Sequence, residues 1–182
     1  MSVPDEKTVQ REYVDLLCRS GFPITDADWE AMEISDFGLG NLRSEGFAFI
    51  DILRSARLRI TLIALLPNQA LPQHVHPPYD GEQGKEETLR VLSGQTKVYI
   101  KGNASAPNIL IPAGKDSFYT ARQQVCLMNP GEQYTVPPGI EHWFQGGPEG
   151  SVNICFQNRV DENKNLFRDP QSSGCPIGPN DH

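Results

Sequence analysis

The sequence predicts an all-β fold, an antiparallel barrel or sandwich, with a short helical segment at its N-terminus. Three observations lead there. From residue 47 onward, short β-prone runs bounded by Gly, Pro, Asn or Asp recur at close intervals with no helical pattern between them. The 182 residues include 16 Gly and 15 Pro, an abundance that suits many turns. Helical apolar spacing is confined to the first part of the chain. The length is that of one domain.

Residues 5–20 place Val9, Tyr13, Leu16 and Leu17 at the i, i+4, i+7, i+8 spacing of an amphipathic helix, closed by Gly21 and Pro23. A second short helix is expected near Thr25, which with Asp28 forms a capping box. Residues 36–46 read as a connecting loop. The β runs then cover 47–53, 57–66, 87–93, 96–101, 107–112, 117–127, 133–136, 141–145 and 151–159. The layout predicted is a helical segment 1–46 packed on a barrel of 47–170, with an irregular tail 171–182 that ends in an exposed His182.

Composition excludes several partners. Sixteen Lys and Arg against 23 Asp and Glu give a formal charge of −7, the wrong sign for holding nucleic-acid phosphates. The longest apolar run, Ile60 to Leu66, is far short of a membrane span and suits a buried strand. The opening residues carry acids where an export signal needs a basic stretch, so the cytoplasm is the expected compartment. Cys18, Cys126, Cys155 and Cys175 form no CxxC pair, which excludes a zinc ribbon and predicts mostly buried free thiols.

Chemistry concentrates in three pieces. His74 and His76 are one residue apart, so on an extended strand both imidazoles share a face. Glu87 alternates with Leu89 and Val91, which puts a carboxylate on an apolar face, a costly placement without a cation. Glu86 faces the other way, beside Thr88 and Arg90. A turn at Pro138-Gly139 then delivers His142 at the start of a following strand. Three imidazoles and one carboxylate suit a divalent first-row metal with open coordination positions.

The segment from His74 to Gly94, an HxH pair, then Glu87, then Gly94, resembles the first cupin motif. Gly131 to His142 resembles the second, G-x5-P-x-G-x2-H. Two positions depart from the pattern: Asn68 stands where a Gly is usual, and Gly146 where an Asn is usual. The long segment from Pro77 to Thr88, with Lys85 two residues before Glu87, is similar to the D-lyxose isomerase branch of the cupins. That resemblance covers roughly residues 70–160. It implies a cupin barrel or jelly roll, usually a homodimer, and a metal held by His74, His76, Glu87 and His142. Mn²⁺ is the ion implied, with Fe²⁺, Co²⁺, Ni²⁺ or Zn²⁺ as alternatives. The implied reaction is aldose–ketose isomerisation of a free sugar such as D-lyxose or D-mannose.

Isomerisation needs a general base beside the metal. Family enzymes place a carboxylate on the strand after the second motif, but residues 151–159 contain no acid, and Cys155 or Gln157 takes that position. The nearest acids are Asp161 and Glu162, the candidates for base, with Lys85 as the residue that would hydrogen-bond substrate. Trp143 and Phe144 are expected in the core. Two other readings share the same ligands: an Fe²⁺ cupin dioxygenase, and a metal-containing sugar-binding protein without turnover.

Overall fold

The computed structural model describes residues 6–103, 106–173 and 175–176. The chain opens with α1 (Glu6–Arg19) and α2 (Asp26–Glu30), then β1 (Glu33–Ser35), β2 (Phe47–Arg54), β3 (Leu58–Leu65) and β4 (Ala70–Val75). There follow β5 (Glu87–Ile100), β6 (Gln123–Met128), β7 (Gln133–Val136), β8 (His142–Asn158), β9 (Leu166–Phe167) and β10 (Cys175–Pro176). No helix among the described residues is long and apolar enough to cross a membrane.

One curled, almost wholly antiparallel sheet carries the fold, in the order β1-β2-β3-β8-β4-β9-β10, with β5 along the other edge of β8 and β6 and β7 paired to β5. The two long strands β5 and β8 pair over their whole length, from Glu87↔Gln157 to Ile100↔His142. Bulges between Val91 and Ser93 and between Gly94 and Thr96 bend this pair, so β3 borders one half of β8 and β4 the other. Gly94 sits at that corner with φ +72°, and a Cβ there would lie 2.1 Å from the Gly150 carbonyl oxygen. The glycine of the first motif is therefore required by backbone approach.

Each face of β3 is buried. Leu62 and Ala64 meet Val9, Tyr13, Leu16 and Leu17 of α1, while Ile63 and Leu65 face the barrel interior with Leu89, Val91, Val98 and Phe144. This explains why apolar residues follow one another from Leu62 to Leu66 without alternation. A third cluster stacks Tyr99 on Trp143 at 4.1 Å between ring centroids, with Tyr119 edge-on. Trp143 is thus core, as expected, and Phe144 is buried too but also borders the interior cavity.

Several expected elements differ. The run 107–112 forms no strand; Ile109 and Ile111 pack as loop residues against the Tyr99–Trp143 cluster. In 117–127 a 3₁₀ turn covers Asp116–Phe118, and the strand begins only at Gln123. The breaks expected at Gly94 and at 146–150 are corners inside continuous strands, because bulges and glycines bend a ladder without ending it. The N-terminal segment supplies a strand as well as helices, since β1 pairs with β2. In the tail, β10 pairs with β9, while 177–182 and the expected exposed His182 lie outside the described residues. The Thr25–Asp28 capping box is formed. Cys18 is exposed, against expectation, and Cys155 is buried.

Candidate active site

The four side chains singled out in the sequence converge. One ligand atom from each of His74, His76, Glu87 and His142 lies within 4.8 Å of the other three, and all four residues are buried. Register places them: His74 stands directly opposite His142 across β4 and β8, His76 follows just beyond β4, and Glu87 opens β5. The Pro138-Gly139 turn is fastened to the first motif by Gly139 N, which donates to the His76 carbonyl at 2.9 Å. Asn68, where the pattern has glycine, takes φ +58°, a left-handed conformation that Asn tolerates better than other side chains.

Hydrogen bonds set the ring nitrogens. His74 Nδ1 is 2.8 Å from the Pro72 carbonyl, His142 Nδ1 is 2.8 Å from the Ile140 carbonyl, and His76 Nδ1 is 2.7 Å from Asn165 Oδ1. These partners are all acceptors, so each Nδ1 carries the proton and each Nε2 presents a lone pair inward. His74 Nε2 and His76 Nε2 face one another at 3.1 Å, and Glu87 Oε1 lies 2.7 Å from His142 Nε2 and 3.3 Å from His76 Nε2. Bare nitrogens and a carboxylate crowded together in a buried space repel one another, and a cation relieves that repulsion. Burial and the neighbouring His142 and His76 hold His74 well below the usual imidazole range, so it stays neutral. Burial alone would raise Glu87, but the neighbouring Lys85 ammonium helps hold its carboxyl well below the usual range. Three neutral nitrogens and one anionic oxygen fit a divalent metal ion.

Beside this cluster opens a cavity of about 340 Å³, a size that suits a small molecule. Neighbouring strands lay a row across its floor, Arg59–Gln157–Glu87, and a second, Thr61–Cys155–Leu89. Gln157 and Cys155 thus both take the positions where an acid was sought. Cys155 Sγ lies 3.9 Å from Glu87 Oε2, and the buried Gln157 Oε1 has no hydrogen-bond partner.

Lys85 and Glu162 both line the cavity, joined by a 3.0 Å ion pair; Lys85 Nζ is also 3.9 Å from Glu87 Oε2. Burial would raise Glu162, but Lys85, Asn165 and Arg59 hold its carboxyl below the usual range. Asp161 is placed differently. It is exposed, and its carboxylate caps the following 3₁₀ turn (Glu162–Lys164) by accepting from Asn163 N at 3.0 Å. Its own amide donates to the Tyr79 hydroxyl at 2.8 Å, so the insertion before Glu87 fastens the segment that presents Glu162.

Sequence reasoning passed over Asn165, which orients His76, and Arg59, which braces Glu162 at 3.3 Å. It also gave no role to the aromatic rings of Phe37, Phe47, Phe49 and Phe167 that line the cavity. Only the alternation of Phe47 and Phe49 on one strand face carried any local signal.

No protein-family model matches the chain. It is 37% identical to the D-lyxose ketol-isomerase of Cohnella laeviribosi over 164 residues, 90% of each protein. It is 34% identical to the D-lyxose/D-mannose isomerase of Thermosediminibacter oceani over 171 residues, 93% of this chain and 94% of the relative. Among solved structures, the L-ribose isomerase of Cellulomonas parahominis shares the fold with a TM-score of 0.69 at 16% identity, over 93% of this chain and 98% of that one. With identity at this level sustained along nine-tenths of both sequences, the chain belongs to the D-lyxose isomerase family, on a cupin barrel.

Proposed function

We propose that the protein interconverts an aldose and its 2-ketose, with D-lyxose or D-mannose as the aldose, using a divalent ion held by His74, His76, Glu87 and His142. The observation that carries this reading is that Lys85 and Glu162 line the same cavity as His74 and Glu87 of that cluster. A divalent ion there supplies Lewis-acid polarisation of the sugar oxygens on C1 and C2. Mn²⁺ is the ion proposed.

Glu162 is ionised and faces the cavity, so it is the group that takes a proton from C2 of the aldose and returns it to C1, while the hydroxyl proton on O2 passes to O1. Lys85 donates to a sugar oxygen as negative charge develops there, a duty its three N–H bonds allow while it keeps Glu162 as partner. Gln157 Oε1 accepts from a sugar hydroxyl. Asp161, committed to capping, takes no part. The cavity carries Glu33, Glu87 and Glu162 against Lys85 and Arg59, and Arg59 is already paired with Asp51 at 2.6 Å. Lys85 is likewise paired with Glu162 at 3.0 Å, so neither of these two cations is free for a phosphate, which favours an unphosphorylated sugar. A homodimer is proposed from the family resemblance.

The test is direct. Protein loaded with Mn²⁺ converts D-lyxose to D-xylulose or D-mannose to D-fructose in an NMR time course, loses the activity on chelation and regains it with Mn²⁺. Metal-loaded protein that leaves a panel of pentoses and hexoses unchanged refutes the proposal.

A further inference from the structure

The cavity has two unlike walls. One is polar: Gln157, Thr61, Lys85 and Glu162 stand on or beside the floor strands. The other is a continuous belt of rings. Phe167 stacks on His74 at 5.5 Å between centroids, Phe37 meets Phe167 at 5.3 Å, and Phe47 stacks on Phe37 at 5.2 Å. The belt continues to Phe49, 5.0 Å from Phe47. It therefore runs from the metal-ligand cluster along the cavity.

Phe37 is the unusual member, because it belongs to no strand. It lies in the loop after β1 with φ +56°, a left-handed backbone that is an outlier for a bulky side chain. The loop is built to hold it there. Phe37 N donates to Ser35 Oγ at 3.1 Å, and Asp36 accepts from Gly38 N and Gly40 N, each at 2.9 Å. The Phe37 carbonyl in turn accepts from Ser173 N. Glycine or asparagine would occupy this conformation at less cost, so the backbone strain is tolerated to bring a ring into the cavity.

Building on the isomerase reading, we propose that Phe37 is a specificity-determining residue, the stacking platform for the C–H face of the sugar beyond C2. A sugar chain shows hydroxyls along one side and C–H bonds along the other. With O1 and O2 at the metal cluster, the hydroxyls of the remaining carbons meet the polar wall, where Gln157 Oε1 lacks a partner. The C–H edges then lie against the Phe37 ring. This contact is made equally in the ground state and the transition state, so it acts on KM and leaves kcat alone.

The experiment compares Phe37→Leu and Phe37→Tyr with wild type, all loaded with Mn²⁺. Measurements are KM and kcat for D-lyxose and D-mannose, metal content, and the rise in Tm caused by each sugar. Phe37→Leu is expected to raise KM about 5–10-fold with kcat within about 2-fold, to keep its metal, and to show a smaller sugar-induced rise in Tm at equal sugar concentration. Phe37→Tyr keeps the ring and stays within about 2-fold of wild type in KM. A plain packing role predicts another pattern: Phe37→Leu lowers the sugar-free Tm, leaves KM unchanged and keeps the sugar-induced rise. That pattern overturns the proposal, as does a Phe37→Tyr variant no better than Phe37→Leu. If wild type binds these sugars without converting them, the isomerase reading fails, and whether the Tm rise in Phe37→Leu is reduced or matches wild type still decides the role of Phe37. A wild type that neither binds nor converts any of them sinks both.

Discussion

Replacing Glu162 with Gln removes one charge and one basic oxygen while keeping the side chain's size. In the native protein Glu162 Oε2 accepts from Lys85 Nζ at 3.0 Å and from Asn165 Nδ2 at 2.8 Å, and Oε1 lies 3.3 Å from Arg59. The amide oxygen can keep one of these donors, so Lys85 retains a partner. What it cannot do is take a proton from carbon. General-base catalysis is worth about 10²–10⁴ in rate, so kcat should fall by that factor, or about 3–5 kcal/mol on the barrier. KM should move less than about 5-fold, because no metal ligand is altered. Side-chain exposure of 34% means solvent screens the lost ion pairs, and the stability change should stay within about 1 kcal/mol. The assay is initial-rate NMR on D-lyxose with Mn²⁺-loaded protein, beside elemental analysis showing unchanged metal content. Asp161→Asn is the control and should keep kcat within about 2-fold, since its carboxylate caps a turn. If Glu162→Gln keeps more than about a tenth of kcat, or Asp161→Asn loses as much activity, the assignment of the base is wrong.

Three further outcomes follow from the same geometry. Chelation should lower Tm in wild type by roughly 5–10 °C, the scale expected when a ligand at 100 times its Kd is removed; His142→Ala should show no such drop, and differential scanning calorimetry reads both. Gly94→Ala forces a Cβ to within 2.1 Å of the Gly150 carbonyl oxygen, so a loss of about 2–4 kcal/mol is expected, or roughly 5–15 °C in Tm. The third concerns Glu45, whose carboxyl is raised by burial against the opposing hydrogen bond from Tyr119 and the charge of Lys115. A raised folded-state value means the folded protein holds the proton more tightly than the unfolded chain. Glu45 therefore contributes most stability below about 4.5 and loses it as pH rises through the folded value. Urea unfolding of Glu45→Gln against wild type should show wild type gaining relative stability as pH falls toward 4.5; an unchanged difference across that range refutes the argument.

The four proposed metal ligands were legible because their chemistry is coded locally. An HxH pair on an extended segment and a carboxylate alternating with Leu89 and Val91 each announce a face, and the Pro138-Gly139 turn announces where the next strand begins. The helices were legible for a similar reason, since Val9 to Leu17 and the Thr25 capping box are short-range patterns. Strand β4 was absent from the β runs although it carries His74, because Pro72 and Gln73 dilute its β signal and only its neighbours β8 and β9 hold it extended. The run 107–112 erred in the opposite sense: Ile109 and Ile111 alternate because a loop packs on Trp143.

Local pattern by itself determined the β class and singled out the four side chains that converge, both of them consequences of spacing within one strand or turn. Tertiary structure alone decided which acid reaches the cavity. Asp161 and Glu162 are adjacent and chemically alike, and nothing short-range separates them. Capping turns one outward while Lys85 and Arg59 draw the other inward. Tertiary structure also decided that Gln157 sits beside Glu87, through the register of β5 on β8, and that Phe37 from a distant loop meets Phe167. Those placements depend on contacts between residues far apart in the chain, which no window of sequence contains.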